Sequence, residues 1–182
     1  MNALTMGEPA GIGGELTIKT WANHRRSLTP FVALDDADRA NLDQSLAAYR
    51  TALETADFAS VVAAIPPGVI DLISAQANLS PETIRKSVTA QMTTIMASAT
   101  IESFVMDTDT MTDGTTPSDV AYAFLPTTTN ISIDEGPIQT VQTLTLAVEI
   151  DDTWYLMRIE QPQHYDFFRA AYPEFVEILL PE

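Results

Sequence analysis

Apolar side chains recur at Leu42, Leu46, Tyr49, Leu53 and Ala56. That spacing marks one face of a helix opening the main body of the chain. Phe58–Ile65 reads as a short second helix stopped by Pro66-Pro67, and Gly68–Ile73 as a third. Ser80 stands before Pro81, which places a hydroxyl cap ahead of a proline at the first helical position. The helix that follows extends to about Ala99, with Ile84, Val88, Met92 (or Gln91), Ile95 and Met96 on its inner face.

Beyond Thr100 the period shortens from 3.6 to 2. Ile101–Asp107, Asp119–Ile133, Ile138–Ile150 and Thr153–Glu160 alternate and are rich in β-branched and aromatic residues, the mark of strands. Turn signals separate them at Asp113-Gly114, Glu135-Gly136-Pro137 and Asp151-Asp152. Links this short imply an antiparallel meander. Pro126 lies inside the second run, where a missing N–H predicts an edge position or a bulge. The tail from His164 to Leu180 holds a short helix ended by Pro173. The expected fold class is therefore α+β: N-terminal helices packed on a curved, four-stranded antiparallel sheet.

Composition adds a boundary. Residues 1–39 carry five acidic and four basic side chains, and the remainder twenty and five. Four of the seven glycines fall within the first fourteen residues. Residues 1–38 thus read as a short βα-like appendage, not an independent domain, and residues 39–182 as one α+β domain.

The net charge of −16 would repel nucleic acid and anionic membrane surfaces, and the five basic residues of the body do not cluster. No apolar run approaches the length of a membrane span. The absence of cysteine removes disulfides, thiolate nucleophiles and thiolate metal sites. Met1–Gly14 has no charged n-region or apolar core, so the expected location is cytoplasmic. The alternative is an exported ancestor whose signal was lost with its own N-terminus.

In the appendage, Ala3–Met6 reads as a strand, Gly7–Gly14 as a loop and Glu15–Ala22 as a helix. Such a turn can present backbone N–H groups to an anion. It matches neither G-x-G-x-x-G nor a P-loop. The run Leu4-Thr5-Met6-Gly7-Glu8-Pro9-Ala10-Gly11-Ile12-Gly13, with Glu15-Leu16 after it, resembles the N-terminal signature of the 4-hydroxythreonine-4-phosphate dehydrogenase family. The likeness extends through Trp21 and Pro30–Asp36. It implies NAD chemistry on the route to pyridoxal phosphate, and Gly7, Glu8, Gly11 and Gly13 as cofactor-binding positions. Those enzymes are roughly twice as long and hold a divalent metal with several histidines. This sequence has only His24 and His164, and Gly14 stands where the family has proline. No cofactor and no metal is therefore expected.

In the body, Tyr49-Arg50-Thr51-Ala52-Leu53, Asp57-Phe58 and Trp154-Tyr155-Leu156-Met157 resemble the nuclear-transport-factor-2-like (cystatin-like) cone superfamily. That resemblance implies a pocket between helices and a curved sheet, on a fold that hosts both enzymes and non-catalytic modules. The candidate pocket residues are Tyr49, Glu102, Tyr122 and Arg158, with Asp107 and Tyr155 behind them. Glu102 and Arg158 could instead pair across the sheet, and the tyrosines could be core aromatics. Asp107–Gly114 has spaced carboxylates, but Met111 and Thr112 break the calcium-loop pattern. His164 has no second ligand nearby and reads as a helix-start residue.

The expected function is a non-catalytic module that binds a small apolar ligand or a partner protein, with a homodimer possible. Two alternatives stay open: a member or remnant of the dehydrogenase family, and a small isomerase- or hydrolase-like cone. The last needs a buried carboxylate or histidine.

Overall fold

A computed structural model describes residues 34–134 and 136–181. The glycine-rich loop with Gly7, Glu8, Gly11 and Gly13, the strand and helix expected around it, and His24 lie outside the described residues. Helix α1 spans Asp36–Glu54. It starts there because the Asp35 carboxylate accepts from the N–H groups of Ala37 and Asp38 at 2.8 and 2.9 Å, and such a cap contributes about 1 kcal/mol. The composition break at Arg39 therefore falls inside a helix. Leu34, just before it, is buried, and its N–H donates to the Asp113 carboxylate at 3.0 Å.

Helix α2 (Phe58–Ala63) is capped by Asp57. Helix α3 (Pro67–Ala77) ends at Asn78 in the left-handed region, and Ser80 caps α4 (Pro81–Met96). The expected inner faces overreach at the C-terminal ends of α1 and α4. Ala56 lies past the end of α1 with φ 56°, and Ile95 is 61% exposed, not inward.

The sheet comprises β1 (Ala99–Met106), β2 (Thr112–Thr115), β3 (Ala121–Ile133), β4 (Gln139–Ile150) and β5 (Thr153–Ile159). Its order is β1-β3-β4-β5, all antiparallel, and it curls into a half-barrel. Strand β2 is an addition to the expected four. It pairs with the first half of β3 while β1 pairs with the second half. The turn expected at Asp113-Gly114 is part of this strand. The chain reverses earlier, where the Asp107 carboxylate accepts from Asp109 N, Thr110 N and Thr110 Oγ1. Gly114 serves close packing instead: a Cβ there would meet the Tyr122 hydroxyl at 3.1 Å.

Pro126 lies in the interior strand β3, between the stretches paired with β2 and with β1. Its carbonyl accepts from Asp107 N at 2.8 Å. Because N and O of one strand residue point the same way, the missing N–H faces the gap between β1 and β2. No ladder bond is lost, so proline is tolerated there.

Register assigns side chains to faces. Ala121, Ala123 and Leu125 of β3 share one face with Ala147, Trp154 and Leu156, under Leu42 and Leu46 of α1. Tyr122 and Phe124 share the other with Leu146, Val148 and Ile159, where helix α5 (Pro162–Ala171) and the 3₁₀ turn Pro173–Phe175 cover them. The Glu160 N–H donates to His164 Nδ1 at 3.3 Å, so His164 secures the start of α5.

Candidate ligand cavity

Helices α1 to α4 do not close fully on the sheet. Between them and the inner face lies a cavity of about 410 Å³, within the range of small-molecule sites. The helical roof is aliphatic: Leu53 from α1, Val61 from α2, Ile70 and Ile73 from α3, Val88 and Met92 from α4. Helix α4 explains the space. Only Ile84 of its expected inner stripe is buried, while Val88 and Met92 border the cavity, so the helix roofs a space and leaves it unfilled.

The sheet floor is different. Phe104 and Thr129 stand directly opposite in the β1–β3 ladder, and both line the cavity with Leu156 and Arg158 of β5. Around them runs a row of threonines on the inner face. Thr127 and Thr145 share a 2.8 Å hydroxyl contact, and Thr143 Oγ1 accepts from Arg158 Nε at 3.2 Å. Thr129 is 5% exposed, and its hydroxyl makes no hydrogen bond among the described residues. A buried hydroxyl without a partner costs about 1–3 kcal/mol.

Tyr49 reaches the cavity from α1, its ring 6.0 Å from that of Phe104. Burial raises the pKa of its phenol, and the positive charge of Arg158 draws it partly back. The group therefore stays a phenol, able to donate, throughout the neutral range. Arg158 lies at the rim, where Glu160 pairs with its Nε at 3.3 Å. Among the described residues, Glu160 is the single carboxylate on the lining, and it is exposed.

The structure thus brings Tyr49 and Arg158 to one cavity and sends the other two sequence candidates elsewhere. Tyr122 lies on the opposite face, against Phe124 and Phe175. Glu102 sits at the β1 bulge and accepts from the Ser132 hydroxyl at 2.9 Å. The Glu102–Arg158 pair does not form, because Arg158 is held by Thr143 and Glu160. Tyr155 packs with the cluster on the opposite face, and Asp107 is occupied by its own loop. Thr129 escaped sequence reading, although its two-residue phase with Leu125 and Thr127 would have placed it inward.

Among the described residues, no group of three or more His, Cys, Asp or Glu could hold a metal, and no helix is long and apolar enough to cross a membrane. No protein-family profile and no curated protein matches this sequence. Among solved structures, Aln2 from a Streptomyces species is similar with a TM-score of 0.48 and 12% identity, over 70% of this chain and 91% of that one. That likeness carries neither family nor function.

Proposed function

We propose that this domain is a non-catalytic module that binds a small, largely apolar molecule between α1–α4 and the inner face of the sheet. The supporting observation is the cavity of about 410 Å³ with aliphatic walls on four helices. An apolar ligand entering it removes hydrocarbon from water at about 25 cal/mol per Å², and Tyr49, Thr129 and Arg158 supply the few polar groups that fix orientation in such sites. A catalytic reading would call for an acid or imidazole set deep in the lining. The lining instead carries a phenol, a hydroxyl and an ion pair at the rim. The dehydrogenase reading rests on Gly7–Gly13, outside the described residues, and gains nothing from this cavity.

The test is calorimetric titration with neutral phenyl- and naphthyl-sized hydrocarbons, using the native protein and Met92→Trp. Met92 is only partly buried on a surface helix, so an indole there fills the cavity from its roof. Saturable binding that Met92→Trp abolishes is the expected result. Equal behaviour of the two proteins overturns the reading.

A further inference from the structure

We infer that the ligand is a neutral, flat molecule, aromatic or conjugated, bearing a carbonyl oxygen that is received by Thr129 and Tyr49. This rests on the binding reading above and specifies its chemistry.

Two side chains of the lining carry hydroxyl donors. Thr129 lines the cavity, and its hydroxyl is buried with no hydrogen-bond partner among the described residues. Buried hydroxyls in folded proteins are nearly always bonded. A ligand acceptor would complete this one. Tyr49 adds a phenol whose raised pKa keeps its proton in place. A carbonyl has two lone pairs and can accept from both groups.

Phe104 links the two donors in space. It faces Thr129 directly across the ladder, and its ring lies 6.0 Å from that of Tyr49. Directly opposed strand residues have Cβ atoms about 5 Å apart, so the donors flank an aromatic wall. A flat ring system stacks there, and rings in such offset contacts gain over aliphatic groups of equal area.

Charge points the same way. Among the described residues, Arg158 is the one cation on the lining, and Glu160 accompanies it at 3.3 Å. The rim is therefore close to neutral, and the whole chain carries a net −16. An anionic head would have to compete with Glu160 against that field. A neutral acceptor meets no such opposition.

The experiment compares three matched probes in phenyl and naphthyl sizes: methyl ketone, ethyl hydrocarbon and carboxylate. Dissociation constants are measured by calorimetry on native protein, Thr129→Val and Tyr49→Phe. In native protein the ketone should bind about three- to tenfold tighter than the hydrocarbon, the ratio expected for a net hydrogen bond of ordinary strength. The carboxylate should bind weakest. Thr129→Val should erase the ketone preference over the hydrocarbon, with an unchanged or raised Tm because an unbonded buried hydroxyl is removed. Tyr49→Phe should reduce the preference in part. Equal ketone and hydrocarbon affinities, a tightest carboxylate, or a preference that survives Thr129→Val would each overturn this inference while the apolar cavity reading stands. Failure of all probes in both sizes would overturn the two together.

Discussion

The hydroxyl of Tyr172 accepts a hydrogen bond from the backbone N–H of Gly68 at 2.8 Å, across 104 positions of sequence. The contact joins the C-terminal end of α5 to the first turn of α3, one of the helices that roof the cavity. A first-turn N–H has no partner within its own helix, so the phenol satisfies it. The approach is close enough that a Cβ on Gly68 would lie 2.9 Å from the tyrosine ring. That ring is stacked on Phe168 at 4.8 Å and has little room to retreat.

Gly68→Ala should therefore destabilise the fold, despite alanine's better helix propensity. The propensity gain is below about 1 kcal/mol. Displacing Tyr172 costs about 1–3 kcal/mol through overpacking and the lost bond, so a net loss of about 1 kcal/mol is expected. Tyr172→Phe should cost a similar amount. Because both substitutions break the same contact, the double variant should lose less than the sum, as measured by urea denaturation.

Trimming the chain at Arg39 should destabilise it. Such a chain loses the Asp35 cap on α1, the buried Leu34 side chain and its bond to Asp113. The cap and the apolar burial together amount to about 2–4 kcal/mol. A chain beginning at Val32 keeps all three. Thermal melts of the two should differ by several degrees in favour of the longer one.

Glu149 should titrate visibly in the stability profile. Burial raises its pKa, and the carboxylates of Asp38, Asp152 and Asp35 raise it further. A carboxyl whose pKa is higher folded than unfolded adds stability below the unfolded value near 4.5, and that contribution fades as pH rises through the folded value. Glu149→Gln should thus raise Tm by about 1–2 °C at pH 7, where the native side chain is charged. At pH 4 it should change nothing. Added salt should shrink the pH 7 effect, because it screens the three aspartates.

Leu42→Ala should be among the most damaging single truncations. Leu42 is fully buried between α1 and the inner sheet face, at the end of that face away from the cavity lining. Removing it opens a void in packed core and should cost about 2–5 kcal/mol. Met92→Ala, on the cavity roof, should cost much less, because the atoms it removes already border open space. Denaturant midpoints for the two variants should separate clearly.

The amphipathic stripe of α1 and the alternating strands were legible because each is half-buried, and period then reports environment. Spacing puts Tyr49 on the stripe of α1, whereas its candidacy for a pocket, like that of Arg158, rests on the resemblance to a cone-like fold. Tyr122 could not be placed correctly. Ala121–Leu125 is buried on both faces of the sheet, so alternation carries no information about which face is which. Glu102 sits where a bulge shifts the β1 register between Ile101 and Ser103, and phase counted through a bulge is lost. Thr129 follows two other threonines and looks like them in sequence. It differs from Thr127, on the same face, in having no hydrogen-bond partner for its hydroxyl, a fact that depends on where Thr143, Thr145 and Arg158 point. Strand β2 was hidden for another reason: Asp113-Gly114 has turn composition, while the reversal is made by Asp107, ahead of Met111.

The most direct test of a ligand cavity under α1–α4 is a methyl NMR titration of the native protein with a neutral naphthyl ketone. Binding in the cavity predicts saturable shifts confined to methyl groups of the lining, among them those of Leu53, Val61, Ile70, Ile73, Val88 and Met92. Shifts that instead track the exposed methyls of Val105, Ile133 and Ile138, or that fail to saturate, would show that the ligand does not enter it.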